Sequence, residues 1–398
     1  MIYLDVTSAC QSSLNTGVKR MQRGLHACLT PTGNCQPVCW QSARRGYRIL
    51  RKRDWENLVG GDSKSVEGAR LFDSFAPGLI SDWLHFAGDS GDMLAWPADL
   101  RDNVILVPDL LWDNRGSFLA GLRGTAARRV GIFHDAIALR RPHQSRIDRH
   151  YCARGVRALA DFDLVLCISR EAESDLHFYW NQFGLKSAPT HVLPWPVPFT
   201  DSRPESSPSF SAKRLLYVAR LEPHKNHLRL LAACEKLWRD GLSFELRLIG
   251  CMAYPDTAWR IWRRVRSLQK AGHPVRWQAH VSETELRAAY AECSFTAFPS
   301  LLEGFGLPII ESLWHGRPVV CGNNGALGEV VAGGGCEIVE PQSEESLASG
   351  LRLLLTSERR YHDLHAEIHR RKFRTWEDYG KELGDLLQRC GRPQADPL

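Results

Sequence analysis

Apolar and polar positions alternate along this chain in two kinds of run. Short apolar runs of strand length are separated by longer stretches in which apolar residues recur every three or four positions, as on one face of a helix. An alternation of this kind from end to end is typical of parallel sheets built from strand–helix–strand units. The sequence therefore predicts an α/β protein.

The predicted strands form two series along the chain. In the first, apolar runs predict strands at residues 2–6, 104–107, 130–133 and 164–168, with helices near 17–29 and 169–180. In the second, they predict strands at residues 215–218, 245–249, 275–277, 295–298, 318–320 and 337–339. Ser282, with Glu285 three positions later, forms a capping-box pattern that predicts the start of a helix reaching about residue 293. Residues 40–100 follow neither pattern, and we expect variable loops or small helices there.

A proline- and serine-rich stretch separates the two series. Prolines at 194, 196 and 198 precede a Ser/Pro-rich run at 202–211, which cannot continue a helix or a central strand. A chain of 398 residues is also too long for a single core. We therefore predict two Rossmann-like domains facing each other across a central cleft. Their ranges are 1–195 and 213–374, with a linker at 196–212 and a C-terminal helix within 375–398.

Composition excludes some classes of protein and points to a compartment. Hydrophobic residues make up 43% and charged residues 24%, which excludes general disorder and a fibrous architecture. A formal net charge of +6 suits a phosphate-bearing ligand or an anionic surface, although a surplus of arginine explains it equally well. The twelve cysteines include no CxxC pair, and neither a signal-peptide pattern nor a membrane-spanning apolar run is present. We expect a cytoplasmic protein whose membrane contact, if any, is peripheral on the inner face.

The segment at 299–311 predicts an anion site. It leaves a predicted strand, passes through Gly304 and Gly306, and opens a helix near Leu307. Glycines let the backbone approach a ligand closely, while the free N–H groups and positive end of a helix favour a phosphate.

Two carboxylates accompany this loop, Glu303 within it and Glu311 about one turn into the helix. Ionised carboxylates only accept hydrogen bonds, which suits the hydroxyls of a sugar or a ribose. The alternatives are a loop-capping carboxylate for Glu303 and a solvated helical residue for Glu311.

Two cations follow the first strand of the second series. Arg220 and Lys225 lie in the loop beyond residue 218, where the ligand crevice of an open parallel sheet is found. We expect them to neutralise a diphosphate. The alternative is a solvated loop with an incidental ion pair between Arg220 and Glu222.

These residues carry a family resemblance. Arg220 and Lys225 match an R-x4-K pattern, and Glu303 and Glu311 match an E-x7-E motif, so the chain resembles retaining glycosyltransferases of family four with the GT-B fold. The similarity covers most of residues 213–345. It implies that the two cations hold the donor diphosphate, Glu303 contacts the transferred sugar and Glu311 binds the ribose. The donor-binding residues expected on this basis are Gly17, Arg220, Lys225, Glu303, Gly304, Phe305, Gly306, Leu307 and Glu311.

The first half adds two weaker matches. His134 and Asp135, which follow an apolar strand, are similar to the family's HD segment, and this implies a place for His134 beside the donor sugar. A structural histidine is the alternative. Gly17 precedes a predicted helix with Lys19 and Arg20, where the family often has two adjacent glycines and this chain has one. The catalytic residues implied are Arg220, Lys225, Glu303 and His134.

A metal site is not predicted. Asp161 and Asp163 form a DxD triplet, but the triplet runs directly into a predicted strand, so we interpret it as charged residues at a strand entrance. The sequence also contains no HExxH motif, P-loop or paired-cysteine motif. The resemblance thus implies a metal-independent enzyme without a cofactor, using a nucleotide-diphosphate sugar as co-substrate.

The expected function is hexosyl transfer with retention of configuration. The donor would be UDP-, GDP- or TDP-linked, and the acceptor a glycan or lipid-linked hydroxyl in bacterial surface polysaccharide assembly, with no nucleic-acid partner. A sugar-nucleotide 2-epimerase and a non-catalytic GT-B scaffold are the alternatives. The basic, aromatic stretches at 44–55 and 259–266 are candidates for contact with an anionic membrane, with solvated helix faces as the alternative. By the same resemblance, the helix at 375–387 would cross back to the first domain.

Overall fold

The computed structural model describes residues 1–10, 17–42, 44–51, 103–111, 113–141, 145–199, 203–204 and 210–390. Several predictions fall outside these residues: the loop before Gly17, most of the unassigned region 40–100, and much of the predicted linker. Within the described residues the chain forms two compact units. One holds the residues up to 199 together with 374–390, and the other holds those from 203 to 373.

The first unit is built on a seven-stranded sheet with the order β3-β2-β1-β4-β5-β6-β7. Neighbouring strands are parallel except for the antiparallel pair β2 and β3. Its strands are β1 (Ile2–Asp5), β2 (Cys35–Gln41), β3 (Gly46–Ile49), β4 (Val104–Val107), β5 (Arg128–Phe133), β6 (Leu164–Cys167) and β7 (Thr190–Val192). Its helices are α1 (Thr7–Cys10), α2 (Gly17–Leu29), α3 (Arg115–Ala120), α4 (Ile137–Arg140), α5 (Arg146–Leu159) and α6 (Arg170–Gln182).

The second unit is built on a six-stranded, fully parallel sheet with the order β10-β9-β8-β11-β12-β13. Its strands are β8 (Arg214–Val218), β9 (Glu245–Ile249), β10 (Val275–Gln278), β11 (Phe295–Phe298), β12 (Val319–Cys321) and β13 (Cys336–Ile338). Its helices are α7 (His227–Arg239), α8 (Pro255–Lys270), α9 (Glu283–Glu292), α10 (Leu307–Trp314), α11 (Ala326–Val331), α12 (Glu344–Thr356) and α13 (Glu358–Arg370).

The predicted α/β class and the two parallel sheets are confirmed. So is the capping box at α9, where Ser282 Oγ accepts from the Glu285 N–H at 3.1 Å and Glu285 accepts from the Ser282 N–H at 2.7 Å. The expectation of loops or small helices from residue 40 was wrong for β3, which forms a hairpin with β2. Strand β2 itself carries Pro37, a residue without an N–H donor that argues against a strand paired on both sides.

The last helix, α14 (Trp376–Cys390), belongs to the first unit and packs against α2. Trp376 lies over Gly24 of α2, where a Cβ atom would come within 1.9 Å of the indole ring. Tyr379 stacks on Trp195 with ring centroids 5.2 Å apart, and the Val197 N–H donates to the Arg374 carbonyl at 3.0 Å. These contacts return the end of the chain to the first sheet's unit.

Two further features concern the described chain as a whole. All twelve cysteines lie in the described residues and are free thiols. Among the described helices, none combines the length and the apolar character needed to cross a membrane.

The contact between α2 and α14 predicts opposite effects for two glycine-to-alanine changes. Gly24→Ala should lower the free energy of unfolding by about 1–3 kcal/mol, because the new methyl group overlaps the Trp376 ring. Gly384→Ala, the matched change in α14, meets no atom within 4 Å and should raise stability by up to about 1 kcal/mol through helix propensity. Thermal unfolding of both variants checks this. Equal shifts would show that Trp376 does not pack on Gly24.

Candidate functional site

Most of the residues predicted to bind the donor lie at the carboxyl ends of strands in the second sheet. Strands β8 and β11 are parallel neighbours there, with Phe295 opposite Leu215. They are also where the order of connections reverses, since β9 and β10 extend to one side and β12 and β13 to the other. Open parallel sheets bind ligands at such a switch point. The loops that follow β8 and β11, at 219–226 and 299–306, therefore lie side by side.

An ion pair links the two loops. Lys225 Nζ lies 2.6 Å from Glu303 Oε1, and the two side chains are only 16% and 9% exposed. The ammonium group also lies 5.6 Å from the centre of the Phe298 ring. A cation and a carboxylate that the sequence assigned to separate motifs are thus direct partners in the structure.

Backbone contacts fix the same two loops. The Leu301 N–H donates to the His224 carbonyl at 2.8 Å. Asn226, at a left-handed φ of 61°, donates its side-chain amide to the carbonyls of Pro299 at 3.1 Å and Pro341 at 2.6 Å. Groups held in this way need little reorganisation when a ligand arrives.

Arg220 has the ion pair with Glu222 that the alternative interpretation anticipated. The two groups are 3.0 Å apart, and Glu222 also faces His224 Nε2 at 3.2 Å. The Arg220 side chain is nevertheless 45% exposed, so its guanidinium keeps donors available to a ligand.

Helix α10 begins at Leu307, as predicted. Gly306 precedes it with a φ of 116°, and a Cβ atom there would come within 2.9 Å of Leu327 Cδ2, so only glycine fits. Pro308 occupies the first turn, where its missing N–H costs little. The remaining N–H groups of this turn and the helix dipole are of the kind that favours a bound anion. Phe305 is buried.

Glu311 is buried rather than solvated. It is 2% exposed, and its Oε2 accepts a hydrogen bond from the Tyr290 hydroxyl at 2.8 Å. The interpretation of Glu311 as a solvated helical residue was therefore wrong. Sequence reasoning missed Tyr290, whose ring stacks on His315 at 5.3 Å near the end of α9. An aromatic residue on the apolar face of a capped helix gave no indication of this hydrogen bond.

The remaining predicted residues belong to the first unit. His134 Nε2 lies 2.8 Å from the Pro108 carbonyl, and because a carbonyl only accepts, this nitrogen carries a proton. Gly17 opens α2, as expected. Lys19 is buried, and the Arg20 guanidinium lies over the Phe199 ring at 5.4 Å.

Both aspartates of the DxD triplet form ion pairs with arginines. Asp161 pairs with Arg123 at 3.1 Å, and Asp163 accepts from the Arg129 N–H at 2.7 Å while also facing its guanidinium. Both carboxylates thus form local contacts with arginines just before β6 begins. In the described ranges, no group of three His, Cys, Asp or Glu residues is arranged to hold a metal ion.

Comparison with known proteins shows which family model matches the second unit and which solved structures share the fold. Residues 200–371, which include both loops of the site, match the family of glycosyl transferases group 1. The chain is 26% identical over 242 residues to the serotype-specific mannosyltransferase WbdA of Escherichia coli, covering 55% of this chain and 29% of WbdA. It is 28% identical over 231 residues to the O-antigen chain mannosyltransferase B of Escherichia coli, covering 56% of this chain and 60% of that protein. The chain thus spans less than two thirds of either relative.

Among solved structures, the chain is similar to sucrose-phosphate synthase from Thermosynechococcus elongatus. The TM-score is 0.64, and the match covers 98% of both chains at 16% identity. The chain has the GT-B fold. Its second unit, which the family match covers, contains Arg220, Lys225, Glu303 and Glu311.

The pair that links the two loops should be detectable as an energetic coupling. Lys225→Met strands a mostly buried carboxylate and should lower the free energy of unfolding by about 2 kcal/mol, whereas the double change with Glu303→Gln should recover most of that loss. Urea unfolding of the two single variants and the double variant measures the coupling.

A matched control is the exposed pair Arg352 and Asp240, for which the same cycle should give about 0.5 kcal/mol or less. Strictly additive losses at Lys225 and Glu303 would contradict the ion pair.

Proposed function

We propose that this protein is a retaining glycosyltransferase of the family-four type, which moves a hexosyl group from a nucleotide-diphosphate donor to an acceptor hydroxyl. The observation that carries the proposal is the meeting of Lys225, Glu303 and the start of α10 at the switch point of the second sheet. Groups at this edge of the sheet would suit the phosphate, the sugar and the ribose of the donor.

Of the parts of the donor, the diphosphate has the most groups at this edge that would suit it. Arg220 and Lys225 are fixed cations, and the N–H groups at the start of α10 are fixed donors. As the glycosyl–phosphate bond breaks, negative charge accumulates on the departing diphosphate. Positive groups already in place stabilise that charge without reorganisation. These groups supply within the chain the charge that other transferases take from a metal ion, so we propose metal-independent catalysis.

The carboxylates suit the hydroxyl groups of the donor. Glu303 lies beside Lys225 and would bind the transferred sugar, which frees the ammonium group for phosphate. Glu311 would bind the ribose through the carboxylate that Tyr290 holds in place. His134 of the first unit, whose Nε2 is held by the Pro108 carbonyl, would bind a sugar hydroxyl through Nδ1. Gly17 is proposed to let the backbone approach the phosphates.

The proposed reaction proceeds on one face of the sugar. The bond from the anomeric carbon to the phosphate oxygen breaks, and the acceptor oxygen bonds to that carbon from the same side. The acceptor proton passes to the departing phosphate oxygen, so no side chain has to act as base. Configuration is retained.

Relatives suggest the substrate class. The two Escherichia coli relatives are named as mannosyltransferases, one of them of the O-antigen chain. We propose a mannosyl or related hexosyl donor and a surface polysaccharide or lipid-linked acceptor. A cytoplasmic location is part of this proposal, since twelve free thiols persist in a reducing compartment.

Product analysis separates this proposal from its two alternatives. The protein would be incubated with UDP-, GDP-, TDP- and CDP-linked hexoses, with and without a chelator, and the products followed by NMR and mass spectrometry. We expect a glycoside with the anomeric configuration of the donor, formed equally with the chelator present. Epimerised free nucleotide sugar would indicate the epimerase, and donor binding without hydrolysis or transfer would indicate the scaffold.

Arg220→Ala tests the role of charge at this site. Because Glu222 keeps His224 as a second neighbour, removal of the half-exposed Arg220 should leave the fold intact by circular dichroism while kcat/KM for transfer falls about a hundredfold or more. Arg276→Ala is the matched control, since this exposed arginine lies in β10 of the same sheet and pairs only with Glu245 among the described residues. Steady-state rates for both variants decide the matter. Equal rates for Arg220→Ala and the unmodified protein would contradict the proposal.

A further inference from the structure

Helix α8 exposes aromatic side chains on the face that should be polar. Its buried face consists of Ala258, Ile261, Val265 and Leu268. On the outer face, Trp259 is 53% exposed and stacks on Trp262, with ring centroids 4.7 Å apart and an angle of 18° between the rings. An exposed tryptophan stacked on a second, half-buried one leaves aromatic surface in water and marks a contact surface.

Cations continue the same stripe. Arg263, Arg266 and Lys270 follow the two tryptophans at spacings of three and four residues, so all five side chains lie along one side of the helix. The Arg266 guanidinium lies 5.9 Å from the centre of the Trp262 ring. We call Trp259, Trp262, Arg263, Arg266 and Lys270 the α8 stripe.

No carboxylate in the described residues forms an ion pair with the cations of this stripe, although the exposed Asp256 lies one turn before Trp259 on the same side of the helix. In the part of the chain that the structure describes, Arg263, Arg266 and Lys270 have no ion-pair partner, whereas their neighbour Arg264 pairs with Glu235 on α7. Arg264 thus pairs within the unit, whereas the other three cations point away from it. The stripe therefore presents positive charge beside an apolar aromatic pair.

The tryptophan end of the stripe lies toward the edge that carries the candidate site. Helix α8 begins at Pro255, after the loop that leaves the carboxyl end of β9. Met252 of that loop pairs with Leu221, next to Arg220. Trp259 is four residues into the helix, about 6 Å along its axis.

We propose that the α8 stripe docks on an anionic membrane surface. The indole rings suit the boundary between headgroups and acyl chains, and the three unpaired cations suit phosphate headgroups. A protein partner would have to present a matching acidic surface, whereas an anionic membrane supplies negative charge along the whole stripe. The inference holds whether or not the protein transfers a sugar.

Vesicle co-sedimentation of the full chain tests the proposal directly. Vesicles of phosphatidylcholine alone would be compared with vesicles containing about one third phosphatidylglycerol, which carry the negative surface charge that attracts basic segments. We expect binding only to the anionic vesicles and its loss when salt is raised. Arg263→Glu with Arg266→Glu should weaken binding about tenfold or more, since each cation near such a surface contributes substantially.

Two further variants isolate the tryptophans and the effect of net charge. Trp259→Ser with Trp262→Ser should weaken binding and remove the quenching of tryptophan fluorescence by brominated lipid, whereas Phe178→Ser, which removes an exposed aromatic residue of the first unit, should change neither. Arg359→Glu with Arg370→Glu reverses the same charge on exposed positions of α13 and should leave binding nearly unchanged. Circular dichroism would confirm that all variants are folded.

Three results would overturn the proposal: no binding of the unmodified protein to anionic vesicles, equal losses for the α8 and α13 variants, or binding to soluble alginate instead of vesicles. The last result would indicate an anionic glycan as the occupant.

Discussion

The parallel pairing of β8 with β11 is the constraint on which the candidate site depends. It places side by side two loops whose key residues, Lys225 and Glu303, are 78 positions apart in the chain. Both strands are largely buried, so the register is fixed by burial on both faces of the sheet. Without this pairing, the R-x4-K and E-x7-E motifs would remain two unrelated loops. With it, a cation, a carboxylate and a helix N-terminus meet at one edge.

The charged groups at this edge form ion pairs with one another. Lys225 neutralises Glu303, and Glu222 neutralises Arg220. A bound diphosphate would take both cations, and the sugar hydroxyls would then satisfy the Glu303 carboxylate. Such an exchange replaces one set of polar partners by another, which matters because a mostly buried carboxylate left without polar partners is strongly destabilising. The Glu311 carboxylate has a separate polar partner, the Tyr290 hydroxyl.

Much of the fold and of the candidate site could be predicted from the sequence, and the features that were not predicted have physical reasons. Apolar runs such as residues 104–107 and 295–298 predicted their strands correctly because both faces of a parallel sheet are buried. Strand β2 was not predicted because Pro37 interrupts its apolar pattern. Its hairpin partner β3 was not predicted because it is only four residues long. At the site, local motifs identified Lys225 and Glu303 but not their direct contact. The Tyr290–Glu311 hydrogen bond depends on packing between α9 and α10, which a linear pattern does not encode.

The most direct test of the candidate site is a crystal structure of the protein with a bound nucleoside diphosphate. We expect phosphate oxygens within hydrogen-bond distance of the N–H groups at the start of α10, between Arg220 and Lys225, with Lys225 Nζ closer to phosphate than to Glu303. The ribose should lie at Glu311. A diphosphate bound at another edge of the sheet, with the pair between Lys225 and Glu303 undisturbed, would contradict the assignment.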